Sequence, residues 1–460
     1  YCNCQTGKFY YRRRNTILVL LGSDNAPGDK QLVIQNDMKR LIQSKNTYLI
    51  LVTVLIVFLF IKASEKSKSI DSQPIKNHDT DRSVQVQDRL KIIPAADQLE
   101  NFLPMLEGKK IAVVANQTSV VRTGNLKDAE NSFRHLIDTL LSHKVKIKKV
   151  FAPEHGFRGK ADAGEAVAND RDSKTGLPLI SLYGKHKKPS QEQLNDIELV
   201  LFDIQDVGVR FYTYISTLTY VMEACAEKGI PVMVLDRPNP NGHYVDGPSL
   251  EPEFSSFLGM HPIPLVYGMT IGEYAHMING EQWLSGKLKC DLRVIPLKHY
   301  DHAKSYSLPV RPSPNLPNDK AINLYPSLGF FEGTIINAGR GTEQQFQRYG
   351  APFFPKSDLT YTPQSNFGAQ NPKFKGEKCY GQDLQQVPRL NKVNLEWLID
   401  AYHKTPKDKA FFGPTFTAHA GNERLQKQIE DGMNAEQIRA TWQDDIMVFQ
   451  KIRVKYLLYP

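Results

Sequence analysis

Residues 199–206 read Leu199-Val200-Leu201-Phe202-Asp203-Ile204-Gln205-Asp206, an apolar run that turns abruptly into an acid and amide cluster. Three other segments have the same form. Residues 110–114 lead to Asn116-Gln117-Thr118, residues 146–152 to Pro153-Glu154-His155-Gly156, and residues 231–235 to Asp236-Arg237-Pro238-Asn239. Short apolar, β-branched runs between helical stretches read as buried parallel strands. In an open parallel sheet the ligand crevice lies beyond the carboxyl ends of the strands. The four polar clusters are therefore expected to converge on one site, which is the pattern of an enzyme.

Strand and helix signals alternate over residues 89–250, with helices expected at 129–142, 191–196 and 215–228. This is the β-α-β order of a doubly wound α/β sheet. No G-x-G-x-x-G follows the first strand and no P-loop pattern occurs, so the sheet does not imply a dinucleotide or nucleotide cofactor. Beyond residue 250 the texture changes. Thr270 and Glu273 form a capping box opening a helix over 269–280, residues 291–296 read as a strand, and helices are expected at 395–403 and 435–454. Residues 306–372 are rich in Pro, Asn, Gly and aromatics with little periodicity, a long loop region suited to a binding surface.

Composition excludes several classes. The 460 residues are enough for two domains, and the 23% charged and 41% hydrophobic fractions are those of a globular protein. The net charge of +9 comes without an Arg-rich helix or a basic and aromatic stripe, so no nucleic-acid partner is expected. The five cysteines form neither a disulfide framework nor a zinc pattern. The 12 histidines are scattered without an H-E-x-x-H, so no metal is expected.

At the N-terminal side, Met38 is the first methionine, and residues 1–37 are read as an upstream extension. Lys39, Arg40 and Lys45 precede an apolar run over 48–61. Residues 38–64 therefore read as a signal peptide or membrane anchor, and the polar residues 65–88 as a linker. The folded part is expected to be exported, to the periplasm or the outer face of the cytoplasmic membrane.

Several constellations carry the chemistry. Glu154, His155 and Arg158 lie within five residues beside glycines. A desolvated Glu is a fit general acid, and a Glu–His pair can also bind a metal. Asp203 and Asp206 precede Arg210 and Tyr212, where the guanidinium can hold a carboxylate in a bidentate grip. Asp236, Arg237 and Asn239 lie in a proline-forced turn, and amides there suit sugar hydroxyls. Arg311 and Asn315 sit in a similar proline-rich string, and Glu332, Arg340 and Glu343 follow on glycine-rich backbone. For each group the structural alternative, a turn or an internal Asp–Arg pair, stays open at this point.

These residues carry a resemblance. FAPEHGFRG at 151–159, LFDIQDVGVRFYTYISTL at 201–218, VLDRPNPNG at 234–242, GMTIGEYA at 268–275, RPSPNLP at 311–317 and FEGTIINAGRGTE at 331–343 occur in order. With them the chain resembles the NamZ-type exo-β-N-acetylmuramidases, glycoside hydrolase family 171, formerly a domain of unknown function. The resemblance covers about residues 90–460 and departs at Asn241, where an apolar residue is expected. It implies a Rossmann-like catalytic domain, set here at 89–252, followed by a smaller α+β C-terminal domain, 253–460, that completes the cleft. It also implies hydrolysis of the terminal non-reducing MurNAc of peptidoglycan fragments such as MurNAc-GlcNAc, with no cofactor.

Carried onto this chain, Glu154 is the general acid and His155 orients it. Asp206, ahead of Asp203 and Glu343, is the expected second carboxylate. Arg158, Arg210 or Arg311 would meet the lactyl carboxylate of muramic acid. The candidate binding set is Asn116, Arg158, Arg210, Tyr212, Asp236, Arg237, Asn239, Arg311, Asn315, Glu332, Arg340 and Glu343. A metal-dependent hydrolase or amidase acting on cell-wall material and a non-catalytic muropeptide-binding protein are the alternative readings.

Overall fold

The computed structural model describes residues 91–123, 132–154, 156–157 and 170–460, together with a two-stranded pairing of Arg12–Arg13 with Thr16–Ile17. The chain divides into two compact units, Tyr1–Val84 and Gln85–Pro460. The leader at 38–64 and the linker at 65–88 lie outside the described residues, as do His155 and Arg158. Among the described residues no helix is long and apolar enough to cross a membrane.

The second unit is built on a seven-stranded sheet. Its strands in chain order are β1 (Lys110–Ala115), β2 (Lys146–Ala152), β3 (Asp170–Arg171), β4 (Pro178–Ser181), β5 (Leu199–Asp203), β6 (Val232–Leu235) and β7 (Leu292–Ile295), arranged β7-β6-β5-β1-β2-β4-β3. All neighbours run parallel except the edge strand β3. From β1 the chain moves out to β2 and β4, then returns to β5 on the other side of β1. The topological switch point, where ligands bind in such sheets, therefore lies between β1 and β5.

Alternation along the strands explains why they read as unbroken apolar runs. Ala112, Val114, Val200, Phe202, Val232 and Val234 enter one core, while Ile111, Val113, Leu199, Leu201, Met233 and Leu235 enter a second. A parallel sheet with both faces covered needs apolar residues at every position. Helices α1 (Leu99–Leu106) and α2 (Leu136–Ser142) bury Phe102, Leu136, Ile137 and Leu140 in the second core. On the first face lie α3 (Tyr214–Lys228), ended by the left-handed Gly229, and α4 (Ile271–Gly280), opened by the Thr270–Glu273 capping box. Asp236, at the end of β6, accepts the Gly272 N–H at 2.8 Å and the Thr270 hydroxyl at 2.7 Å. A carboxylate there satisfies donors at the start of α4.

The first core continues into the C-terminal part through Phe330, Phe331, Trp397, Leu398, Phe416 and Trp442. That part holds α5 (Asp319–Leu328), a three-stranded antiparallel sheet of Arg348–Ala351, Cys379–Asp383 and Leu359–Tyr361, and five further short helices between Glu396 and Arg453.

Several local expectations are corrected. Residues 191–196 form turns rather than a helix. The expected 129–142 helix begins only at Leu136, because Phe133–His135 pairs with Val120–Arg122 as a strand. The 435–454 helix breaks into Ala435–Ala440 and Gln443–Arg453, with the Trp442 indole N–H at the break donating to Asp246 at 3.1 Å. Helix α5 lies inside the expected 306–372 loop, capped by Asn318, and Pro326 in its last turn hides it from a propensity reading.

One buried side chain joins the two sequence halves. The Arg210 guanidinium donates to the carbonyls of Pro248 at 2.6 Å, Ile263 at 3.0 Å, Ala420 at 2.6 Å and His419 at 3.2 Å. Gly259 and Gly421 allow its approach, since a Cβ on Gly421 would stand 2.5 Å from the guanidinium and one on Gly259 3.1 Å from its stem. Burial pulls the Arg210 pKa down to about 9, and the carbonyl cage is what holds the charge in place. Buried acceptors left unpaired cost about 1–3 kcal/mol each. Arg210→Met is accordingly expected to destabilise the protein by about 3 kcal/mol or more in denaturant unfolding, and a loss below about 1 kcal/mol would contradict the role.

Candidate active site

A cavity of about 650 Å³ opens beside the carboxyl ends of β2, β4 and β5, and the C-terminal part closes its other wall. Its sheet-side lining includes Glu154 just after β2, Tyr183 and Lys187 after β4, and Phe211, Tyr212 and Thr213 between β5 and α3. Phe257 comes from a hairpin between the paired strands Asp246–Ser249 and Pro264–Val266. Opposite them stand Ser313, Asn315, Tyr325, Glu332, Arg340, Phe346 and His419.

Two carboxylates share this space. The Thr213 hydroxyl donates to Glu154 Oε2 at 2.8 Å, and the Tyr183 hydroxyl lies close to the same carboxyl. Burial, reinforced by the Glu154 charge, pushes the Tyr183 phenol well up, so it stays a neutral donor. Hydroxyls can donate or accept, so both partners can follow Glu154 through a change of protonation.

Glu332, on the short helix Gly329–Gly333, is gripped by Arg340 through Nε at 3.0 Å and Nη2 at 3.0 Å. Burial alone would raise the Glu332 carboxyl, but the Arg340 and Lys373 charges outweigh it and hold the group below the usual range. The Lys373 ammonium is itself caged by the carbonyls of Phe331 at 2.7 Å and Thr334 at 2.6 Å. Burial keeps His419 neutral, and its Nδ1 is hydrogen-bonded to the Thr415 carbonyl at 2.8 Å. In that tautomer Nε2 is left as an acceptor. The pair Glu154 and Glu332, both in electrostatic contact with Tyr325 and Arg340, can serve acid and charge-stabilising roles on one substrate.

The structure distributes the sequence candidates unevenly. Glu154, Tyr212, Asn315, Glu332 and Arg340 line the cavity. Asp203 does not; it forms a buried bidentate pair with Arg237, at 2.6 Å and 2.8 Å. Asp206 is also buried away from the lining. Its Oδ2 accepts the Gly208 N–H at 2.7 Å and the Tyr267 hydroxyl. The expectation of Asp206 as second carboxylate is thereby corrected, and Glu343, exposed and outside the lining, does not replace it.

Asn116 turns inward to the Tyr214 hydroxyl at 2.9 Å, Asn239 to the Met269 carbonyl at 2.8 Å, and Asp236 to α4. Asn241, the departure from the family pattern, bridges the carbonyls of Val207 and Ile322 at 3.0 Å each. Arg210 is spoken for by carbonyls and Arg311 is exposed outside the lining, so neither faces the cavity. The clusters after β1 and β6 thus wire loops together rather than converge on the ligand space.

That wiring still shapes the site. Gln117 donates to the carbonyls of Arg311 and Pro312 at 3.2 Å and 3.0 Å, and the Tyr212 and Tyr214 hydroxyls reach the Pro312 carbonyl at 2.8 Å and 3.2 Å. These bonds fix the string that presents Ser313 and Asn315. Sequence reading missed Tyr183, Lys187, Thr213, Phe257, Tyr325 and His419. Tyr183 had a signal, since it follows the short strand-like stretch Leu179-Ile180-Ser181-Leu182 as the other clusters follow their apolar runs. A comparably large opening, about 690 Å³, sits at the amino end of β7 and is lined by His276, Lys289, Cys290, Asp291 and Lys455 among others. It has no paired carboxylates, so chemistry rather than size selects the cavity at the strand ends. No group of three His, Cys, Asp or Glu placed to hold a metal occurs among the described residues.

Burial raises Asp206 to about 6 from an ordinary 3.8. A carboxyl whose pKa is raised by folding holds its proton more tightly in the folded state, so its stability contribution is full below pH ~4 and lost as pH rises through ~6. Asp206→Asn removes that titration. Its stability relative to the natural protein should improve between pH 4 and 8 by roughly 2–3 kcal/mol in denaturant unfolding. A difference that does not change with pH would contradict the assignment.

A family model described as exo-β-N-acetylmuramidase NamZ, N-terminal, matches residues 111–320, and its C-terminal counterpart matches residues 323–459. The peptidoglycan β-N-acetylmuramidase NamZ of Bacillus subtilis (strain 168) is 39% identical over 383 residues, which is 78% of this chain and 89% of that protein. Among solved structures, a DUF1343 family protein from Bacteroides fragilis NCTC 9343 is 43% identical with a TM-score of 0.73, covering 80% of this chain and 99% of the other. A second from the same organism is 29% identical with a TM-score of 0.69, covering 81% and 100%.

Proposed function

The chain belongs to the NamZ family of exo-β-N-acetylmuramidases, and on that premise we propose that its strand-end cavity is where the terminal non-reducing MurNAc of a peptidoglycan fragment is hydrolysed. The observation that carries the placement is the presence of Glu154 and Glu332 on the walls of one cavity. The protein is a glycoside hydrolase, and glycosidic hydrolysis is commonly run by two carboxyl groups flanking the scissile bond.

In this reading Glu154, oriented by Thr213 and Tyr183, donates its proton to the oxygen of the leaving sugar. Glu332, kept ionised by Arg340, faces the positive charge that develops at the anomeric carbon. Water supplies the hydroxyl to that carbon and the proton that returns Glu154 to its acid form. Asn315, Ser313 and the neutral His419 offer donors and acceptors to sugar hydroxyls, and Tyr212, Tyr325 and Phe257 offer ring surface. We place this work outside the cytoplasm. The basic residues Lys39, Arg40 and Lys45 ahead of the apolar run 48–61 support export.

The direct test uses MurNAc-GlcNAc and GlcNAc-MurNAc. The protein should split the first and release MurNAc, and leave the second intact. Release from both, or internal cutting of GlcNAc-terminated chains, would overturn the reading. Glu154→Gln should lower kcat by roughly 10²–10⁴-fold on a substrate whose leaving group needs a proton, and by much less on an activated aryl glycoside. Equal small losses on the two would remove Glu154 from the acid role. Glu332→Gln should instead lower turnover on both substrates alike, measured in the same assays.

A further inference from the structure

We propose that Lys187 is the specificity residue that binds the acidic substituent of the terminal sugar, the carboxylate of its lactyl ether, and so separates a muramic acid end from a plain N-acetylglucosamine end. The inference rests on the muramidase reading and adds to it the group that recognises the acid.

Lys187 and Arg340 are the Lys and Arg side chains of the described lining. Arg340 is committed to Glu332 by two contacts of 3.0 Å. A substrate acid approaching it would meet the Glu332 charge at the same place. Lys187 is differently placed. Its ammonium stands 4.6 Å above the Phe257 ring, and among the described residues it makes no ion pair or hydrogen bond. A cation held only by a ring face keeps its three donors for a ligand.

The loop that carries Lys187 is anchored by its neighbour. Lys188 binds Glu223 and Glu227 of α3, each at 2.6 Å. Phe257 is fixed too, stacked on Tyr220 with ring planes 12° apart and tilted against Tyr183. Tyr183 in turn lies beside Glu154. Lys187, Phe257, Tyr183 and Glu154 thus form one continuous wall, with the acid-binding group at one end and the proton donor at the other. A sugar docked on that wall would place its substituent acid and its leaving oxygen on the same side of the cavity. The flexible stem of a lysine suits a carboxylate that itself swings on an ether linkage.

The experiment compares two aryl β-muramides, one with the free lactyl acid and one with that acid as a neutral carboxamide, on the natural protein, Lys187→Met and Lys187→Arg. The natural protein should prefer the acid. Lys187→Met should lower kcat/KM on the acid about tenfold or more, mainly through KM, as expected for loss of a charge-assisted hydrogen bond. The acid-over-amide ratio should fall by about the same factor, and Lys187→Arg should restore most of it. An unchanged ratio in Lys187→Met, or equal losses on both substrates as a collapsed wall would give, overturns the inference. A natural protein that hydrolyses both equally overturns the inference alone. One that hydrolyses neither overturns the muramidase reading and this inference with it. Thermal unfolding of each variant confirms that a loss is not misfolding.

Discussion

Arg210 is the constraint on which the arrangement depends. It leaves the carboxyl side of the central strand β5 and ends among carbonyls from residues 248, 263, 419 and 420. One side chain thereby sets the distance between the sheet and two later segments. The first carries the hairpin with Phe257; the second carries His419. Backbone carbonyls of three separate segments find donors on a planar fork whose geometry admits little variation. Both walls of the cavity are referred to that fork.

The same logic governs the other buried charges. Asp203 with Arg237, Asp236 with α4, and Glu273 with His302 at 2.9 Å and the N–H of Leu458 at 2.8 Å each close a loop against the sheet. Internal ion pairs are weak contributors to net stability, because desolvation offsets their attraction. Their value here is geometric. Loops at the carboxyl edge of a parallel sheet have no ladder to join, and polar side chains from the strand ends give their backbone groups defined partners. Glu154 and Glu332 differ from these acids in lining the cavity, Glu154 beside the Thr213 hydroxyl and Glu332 beside the Arg340 guanidinium.

This distinction explains what could be read from sequence. The four apolar runs specify strands because burial on both faces demands unbroken apolar residues, and the capping box at Thr270 and Glu273 marks its helix locally. Polar clusters at strand ends are visible by the same reading, but their side-chain directions are not. Asp206 and Glu154 look alike in sequence, two acids just past apolar runs. One turns back to Tyr267 and the other outward to the cavity, a difference settled by packing of residues 61 and 59 positions away. Phe257 and His419 carry no local signal, because the contacts that bring them to the site are long-range. Helix α5 was hidden by its own Pro326.

On the proposed reading Glu154 and Glu332 act on one glycosidic bond in the cavity beside β2, β4 and β5. The most direct measurement is a crystal structure of the Glu154→Gln protein with MurNAc-GlcNAc bound. The bridging oxygen is expected within hydrogen-bond reach of residue 154, with the anomeric carbon turned toward Glu332. A disaccharide found instead in the opening beside His276 and Cys290, or bound with its bridging oxygen away from residue 154, would contradict it.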